Sequence, residues 1–139
     1  MRTITVALGE KTYNIEIAAG LLDQIGAKAR VLSQAVKAAI ISDSNVDPLY
    51  GERLERSLAA SGFEVTRIVF AAGEQSKNLT VLGQVYDELA RAGLTRSDLI
   101  LTLGGGVPGD LGGFAAATFL RGIDFIQVPT SLLAQIDSS

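Results

Sequence analysis

The residues best suited to chemistry sit in short polar segments. The densest of these is Gly104-Gly105-Gly106-Val107-Pro108-Gly109-Asp110. Glycines permit positive φ and let backbone N–H groups come close to a ligand. Placed before a helix, those amides and the helix dipole make a seat for phosphate or pyrophosphate. Pro108 suits a first helical turn, where its missing N–H costs nothing. The letters Gly104 to Gly109 fit G-x-G-x-x-G, but they come late in the chain and no acidic residue closes the next strand. The usual dinucleotide fingerprint therefore fits poorly, and the lack of Gly-Lys-Ser/Thr excludes a P-loop. The competing account is a tight strand-to-helix turn with small residues for packing.

Other polar residues carry paired readings of the same kind. Asp43 could bind both hydroxyls of a ribose, or could close an Asx turn. Glu74 and Lys77 could hold a ribose and a phosphate, or form a solvated loop pair. Asp110 is expected in the first helical turn, where a carboxylate favours the dipole whatever else it does. Arg121 and Asp124, around Gly122, could be a surface ion pair. Thr130 could cap a following helix, and Asp137 with Ser138 and Ser139 could be a polar chain end.

The composition narrows the chemistry. With no histidine and no cysteine, neither an imidazole base nor a thiolate metal site is available, and a metal could be held only by Asp and Glu. Net charge is −3 with no basic run, which argues against tight nucleic-acid binding. No stretch reaches the roughly 20 apolar residues of a spanning helix, and the N-terminus lacks a signal-peptide core. Hydrophobic content of 47% against 19% charged residues indicates one globular domain, expected to be soluble and cytoplasmic.

The elements that must place these residues follow from periodicity. Residues 3–8 and 12–17 alternate apolar and polar around Gly9-Glu10, which predicts an antiparallel hairpin. Leu21, Leu22, Ile25, Ala29 and Leu32 then have helical spacing. Apolar strands are expected at Ala38–Ser42, Val65–Phe70, Leu99–Leu103 and Phe125–Val128. Helices are expected at Leu49–Ala60, after an Asn78 cap, and from about Pro108 to Leu120. Strands apolar on both faces that alternate with helices imply a mostly parallel sheet covered on both sides. This is a Rossmann-like α/β fold with an N-terminal antiparallel hairpin at its edge. In such sheets ligands bind beyond the carboxyl ends of the strands. The segments at Asp43, Glu74–Lys77, Gly104–Asp110 and Thr130 each follow a strand, so a parallel sheet gathers them on one rim.

SDSNV (42–46), AGEQSKN (72–78) and GGGVPGDLGGFAAATFLRGIDFIQVPTSLLAQIDSS (104–139) resemble the 3-dehydroquinate synthase family of sugar-phosphate cyclases, and the resemblance extends over the whole chain. It implies that residues 1–139 form an N-terminal NAD-binding domain. A longer chain would add a mostly helical second domain with a glutamate and two histidines for a divalent metal, zinc or cobalt. It implies contacts from Asp43 and Asn45 to the adenosine ribose, and from Glu74 and Lys77 to the ribose and phosphate region. Gly105, Gly106 and Asp110 would hold the pyrophosphate and nicotinamide side, with Thr130 and Ser131 beside them. Asp137 would reach the substrate, and Arg121 the substrate phosphate, across a homodimer. The implied reaction is that of a lyase of the shikimate pathway: NAD-dependent cyclisation of a seven-carbon sugar phosphate with loss of phosphate. Residues 1–139 alone would be inactive. Pro108 and Ser131 depart from the pattern, where relatives often have an aliphatic residue and Thr.

Overall fold

The computed structural model describes residues 3–5 and 15–130. Five strands form one parallel sheet: β1 (Thr3–Thr5), β2 (Lys37–Asp43), β3 (Glu64–Phe70), β4 (Leu99–Gly104) and β5 (Asp124–Pro129), in the order β1-β5-β4-β2-β3. Between them run α1 (Ile15–Leu32), α2 (Glu52–Ala60), α3 (Leu79–Arg91) and α4 (Gly106–Thr118).

Alternation along the strands divides the core in two. Ala38 and Ile40 of β2, with Leu99, Leu101 and Leu103 of β4, pack under Leu22 and Ile25 of α1 and Leu54 and Leu58 of α2. Ala39, Ile41 and Ile100 face the other way, against Leu82, Val85 and Leu89 of α3 and Leu111, Ala115 and Ala116 of α4. All six residues of β4 are buried, as expected for a central strand covered on both faces.

Two glycines let helices approach closely. A Cβ at Gly112 would sit 2.4 Å from Thr102 Cγ2, where α4 meets the sheet, and one at Gly26 would sit 1.9 Å from the Ser57 carbonyl oxygen.

The N-terminal hairpin is the departure from the sequence reading. Thr3–Thr5 pairs in parallel with Phe125–Gln127, and Ile15–Ile17 already belong to α1. The remaining hairpin positions, 6–14, lie outside the described residues. Ile15 and Ile17 fit a period of two, but Ile15, Ala18, Leu22, Ile25 and Ala29 also fit the helical period. Over three turns the longer pattern wins.

Candidate functional site

The register sets the rim. Asp43 pairs with Phe70, Ser42 with Leu103, and Gly104 with Pro129. One row therefore holds the ends of four neighbouring strands, spanning about 14 Å at the usual strand spacing. Asp43, Glu74, Lys77, Gly105, Gly106, Asp110 and Thr130 all leave from that edge.

Hydrogen bonds join the loops in pairs. The Thr130 amide donates to the Gly104 carbonyl at 2.9 Å, and the Ser44 amide to the Phe70 carbonyl at 2.8 Å. The Ser44 hydroxyl accepts from the Ala72 amide at 2.9 Å, and the Ser42 hydroxyl donates to the Leu103 carbonyl at 2.7 Å.

Asp43 is buried, and its Oδ1 accepts from the amides of Asn45 and Val46, both at 2.9 Å. The Asx turn is therefore real. It leaves the ribose reading open, because both bonds use one oxygen and none among the described residues uses Oδ2. Asn45 is exposed beside it.

Helix α4 starts earlier than periodicity predicts. Gly105 is its N-cap, and the Gly109 amide makes the first helical bond to the Gly105 carbonyl at 3.2 Å. Asp110 is thus the fifth helical residue, outside the first turn, and the dipole does not account for it. Its carboxylate instead meets the Lys77 ammonium at 2.9 Å. That contact, then Glu74 nearby, holds the lysine above its ordinary pKa. Lys77 therefore bridges the loop after β3 to α4 rather than pairing with Glu74. Glu74 itself opens a short 3₁₀ turn, Glu74–Ser76.

The glycines of this loop differ in what they do. Gly104 has φ +146° and lies against Pro108, so the fold requires it. Gly105 has φ −87° and ψ −146°, Gly106 is helical, and a Cβ at either would meet nothing within 4 Å among the described residues. At Gly106 neither conformation nor packing within the described protein calls for glycine, and glycine weakens a helix. The amides of Gly106 and Val107 lack helical partners at this end, which is the arrangement that anion binding at a helix start uses. Pro108 removes one donor. Beside it, between α3 and α4, a cleft of about 440 Å³ is lined by Lys77, Asp110, buried Leu82 and Leu111, and exposed Leu79 and Phe114.

The remaining candidates fall elsewhere. Arg121 precedes β5, whose first residue pairs with Leu99 at the start of β4, so it lies at the opposite edge of the sheet. It is exposed, with φ +67° after Leu120 at φ +50°. Ser131 and Asp137 lie outside the described residues. No cluster of three metal-ligating side chains occurs among the described residues, so these residues do not fit a metal. Nor is any of their helices long and apolar enough to cross a membrane. The sequence reading missed Ser44 and Ser76, whose hydroxyls brace the rim loops. Only their place just after buried strands could have singled them out.

Comparison with known proteins agrees with this geometry. The chain is 52% identical over 139 residues to the 3-dehydroquinate synthase of Clostridium acetobutylicum, covering all of this chain and 39% of that one. It spans about two fifths of the length of the curated relatives it matches. Among solved structures, 2-epi-5-epi-valiolone synthase from Streptomyces hygroscopicus, with NAD+ and Zn2+ bound, superposes with a TM-score of 0.68 at 28% identity. That match covers 99% of this chain and 35% of the other. A 2-deoxy-scyllo-inosose synthase complexed with carbaglucose-6-phosphate, NAD+ and Co2+ gives 0.66 at 29%, over 70% and 27%. The family model for the 3-dehydroquinate synthase N-terminal region matches residues 67–139, and the chain belongs to the 3-dehydroquinate synthase family.

Proposed function

We propose that residues 1–139 are the NAD-binding domain of a 3-dehydroquinate synthase. The whole enzyme would convert 3-deoxy-D-arabino-heptulosonate 7-phosphate into 3-dehydroquinate and phosphate, as a carbon–oxygen lyase. The observation that carries this reading is Gly106: a glycine in the first turn of α4 for which the described residues give no need, on the rim where Asp43, Lys77 and Thr130 converge.

NAD supplies transient oxidation of a secondary alcohol, which acidifies the neighbouring C–H. The chain's own residues bind and orient. Asp43 Oδ2 accepts from ribose hydroxyls while Oδ1 keeps the loop closed, with Asn45 alongside. The Gly106 and Val107 amides take the pyrophosphate. Lys77 leaves Asp110 to meet ligand phosphate, and Glu74 contacts the same ribose and phosphate region. Asp110, Thr130 and Ser131 flank the nicotinamide side. Asp137 reaches the substrate, and Arg121, at the far edge, meets substrate phosphate in a neighbouring subunit of a homodimer. A zinc or cobalt ion belongs to residues outside this domain, and the enzyme is cytoplasmic.

The test is phosphate release by the full-length natural enzyme, with NAD present, from 3-deoxy-D-arabino-heptulosonate 7-phosphate. Release that requires NAD supports the reading. Release only from a different sugar phosphate would make the protein another cyclase, and no NAD binding at millimolar concentration would overturn the proposal.

A further inference from the structure

We propose that Ser44 is a positioning residue for the dinucleotide site, a proposal that rests on the NAD reading above. Its backbone amide continues the β2–β3 pairing by one step, to the Phe70 carbonyl at 2.8 Å. Its hydroxyl then accepts from the Ala72 amide at 2.9 Å. These two bonds tie the loop that carries Asp43 to the loop that carries Glu74 and Lys77.

Ala72 is the node of the second loop. The Gln75 amide group donates to the Ala72 carbonyl at 2.7 Å, and the Ser76 hydroxyl donates to the carbonyl of Ala71. The Ser76 amide bonds to Gly73, and the Lys77 amide to Glu74. Gly73, at φ +114°, turns the chain between them. A braced unit of this kind moves as one body, so holding Ala72 fixes where Glu74 and Lys77 stand. Lys77 carries the link on to Asp110 of α4, at 2.9 Å. At the other end Asp43 closes its own turn on the two residues that flank Ser44 on its far side, Asn45 and Val46. The ribose side and the phosphate side of the site thus share one exposed hydroxyl. That exposure separates positioning from stability. Without the hydroxyl the Ala72 amide can turn to water at little cost to the fold, while the two ligand loops keep only the backbone tie from the Ser44 amide to the Phe70 carbonyl and their spacing loosens.

The experiment compares wild type, Ser44→Ala and Ser44→Thr in the full-length natural enzyme. It measures NAD affinity by calorimetry, KM for NAD, kcat at saturating NAD, and the melting temperature without ligand. Loss of one hydrogen bond that acts only through the ligand predicts about a fivefold rise in Kd and KM for Ser44→Ala. We expect kcat within about twofold, an unchanged melting temperature, and recovery in Ser44→Thr, which keeps the hydroxyl. The proposal is overturned if Ser44→Ala binds NAD like wild type, or if Ser44→Thr is as weak as Ser44→Ala. A drop in melting temperature that tracks the loss of affinity would overturn it too. Failure of the wild type to bind NAD is a distinct result, which sinks the underlying cofactor reading.

Discussion

Gly106→Ala separates a glycine kept for a ligand from one kept for the fold. In the unliganded protein Gly106 is the first residue of α4, and an added Cβ meets nothing within 4 Å among the described residues. The methyl group is therefore free of strain and reduces the freedom of the unfolded chain. A gain of about 0.4–1 kcal/mol follows, which in a protein of this size class raises the melting temperature by about 2 °C. Binding changes the other way. The new methyl projects into the space above the helix start, where a pyrophosphate oxygen must approach to within hydrogen-bonding distance of the Gly106 and Val107 amides. Losing one bond to a charged group costs about 1.5–3 kcal/mol, or roughly 10- to 150-fold in Kd. Calorimetric titration of NAD, beside thermal unfolding without ligand, reads both quantities on one sample. Higher stability with weaker binding is the expected pair. If Gly106→Ala bound NAD as tightly as wild type, the open space over α4 would have no ligand to explain it, and the phosphate seat would have to be abandoned.

Three further outcomes follow from the same geometry. Asp43→Asn keeps an Oδ1 that can accept from Asn45 and Val46 but turns the second oxygen into a donor. NAD affinity should fall about tenfold or more with the fold retained, as titration and circular dichroism would show. Gly112→Ala places a Cβ 2.4 Å from Thr102 Cγ2 and should cost about 1–3 kcal/mol by overpacking, measured by denaturant unfolding. An unchanged midpoint would mean that α4 can slide on the sheet. Lys77→Gln removes a cation that Asp110, then Glu74, holds above the ordinary lysine pKa. A raised pKa means charge kept below it and lost only as pH climbs through it. Wild-type NAD affinity should therefore lose nothing at Lys77 between about pH 7 and about pH 9, while Lys77→Gln binds more weakly and with a shallower dependence on salt.

The central architecture was legible because burial leaves a coarse mark. Four apolar strands alternating with helices can be satisfied only by a sheet covered on both faces. Parallel direction then puts every strand-following loop on one side, so the rim could be read without a single distance. Asn78 as a cap was legible for the same reason, since its side chain does in sequence what it does in the fold and accepts from the Val81 amide at 2.9 Å. Two things were not legible. Ile15 and Ile17 fit the strand period over three residues, and only the longer run from Ile15 through Ala18, Leu22 and Ile25 decides for the helix. The start of α4 was misplaced because Pro108 marks a first turn without saying which position in it. The two-residue error moved Asp110 out of reach of the dipole account and left its ion pair with Lys77, 33 residues away in sequence, unforeseen.

The place of Asp110, one turn into α4, bears on how the site would work. A carboxylate in the first turn would have stabilised the helix locally and competed with a phosphate for the same amides. One turn further on it does neither. It holds Lys77 at the edge of the open glycines, where the ammonium partly offsets the carboxylate that an incoming pyrophosphate would otherwise meet. Both partners are well exposed, so the pair contributes little to stability and is cheap to break. A strong, buried pair at this place would oppose the ligand, and a bare carboxylate would repel it. A weak bridge between the loop after β3 and α4 keeps the cation close while leaving it free to change partners. On this argument Asp110→Asn should weaken NAD binding by less than Lys77→Gln does. If it weakened binding more, the contact of Asp110 with the nicotinamide side would outweigh its hold on Lys77, and Lys77 would be the holder.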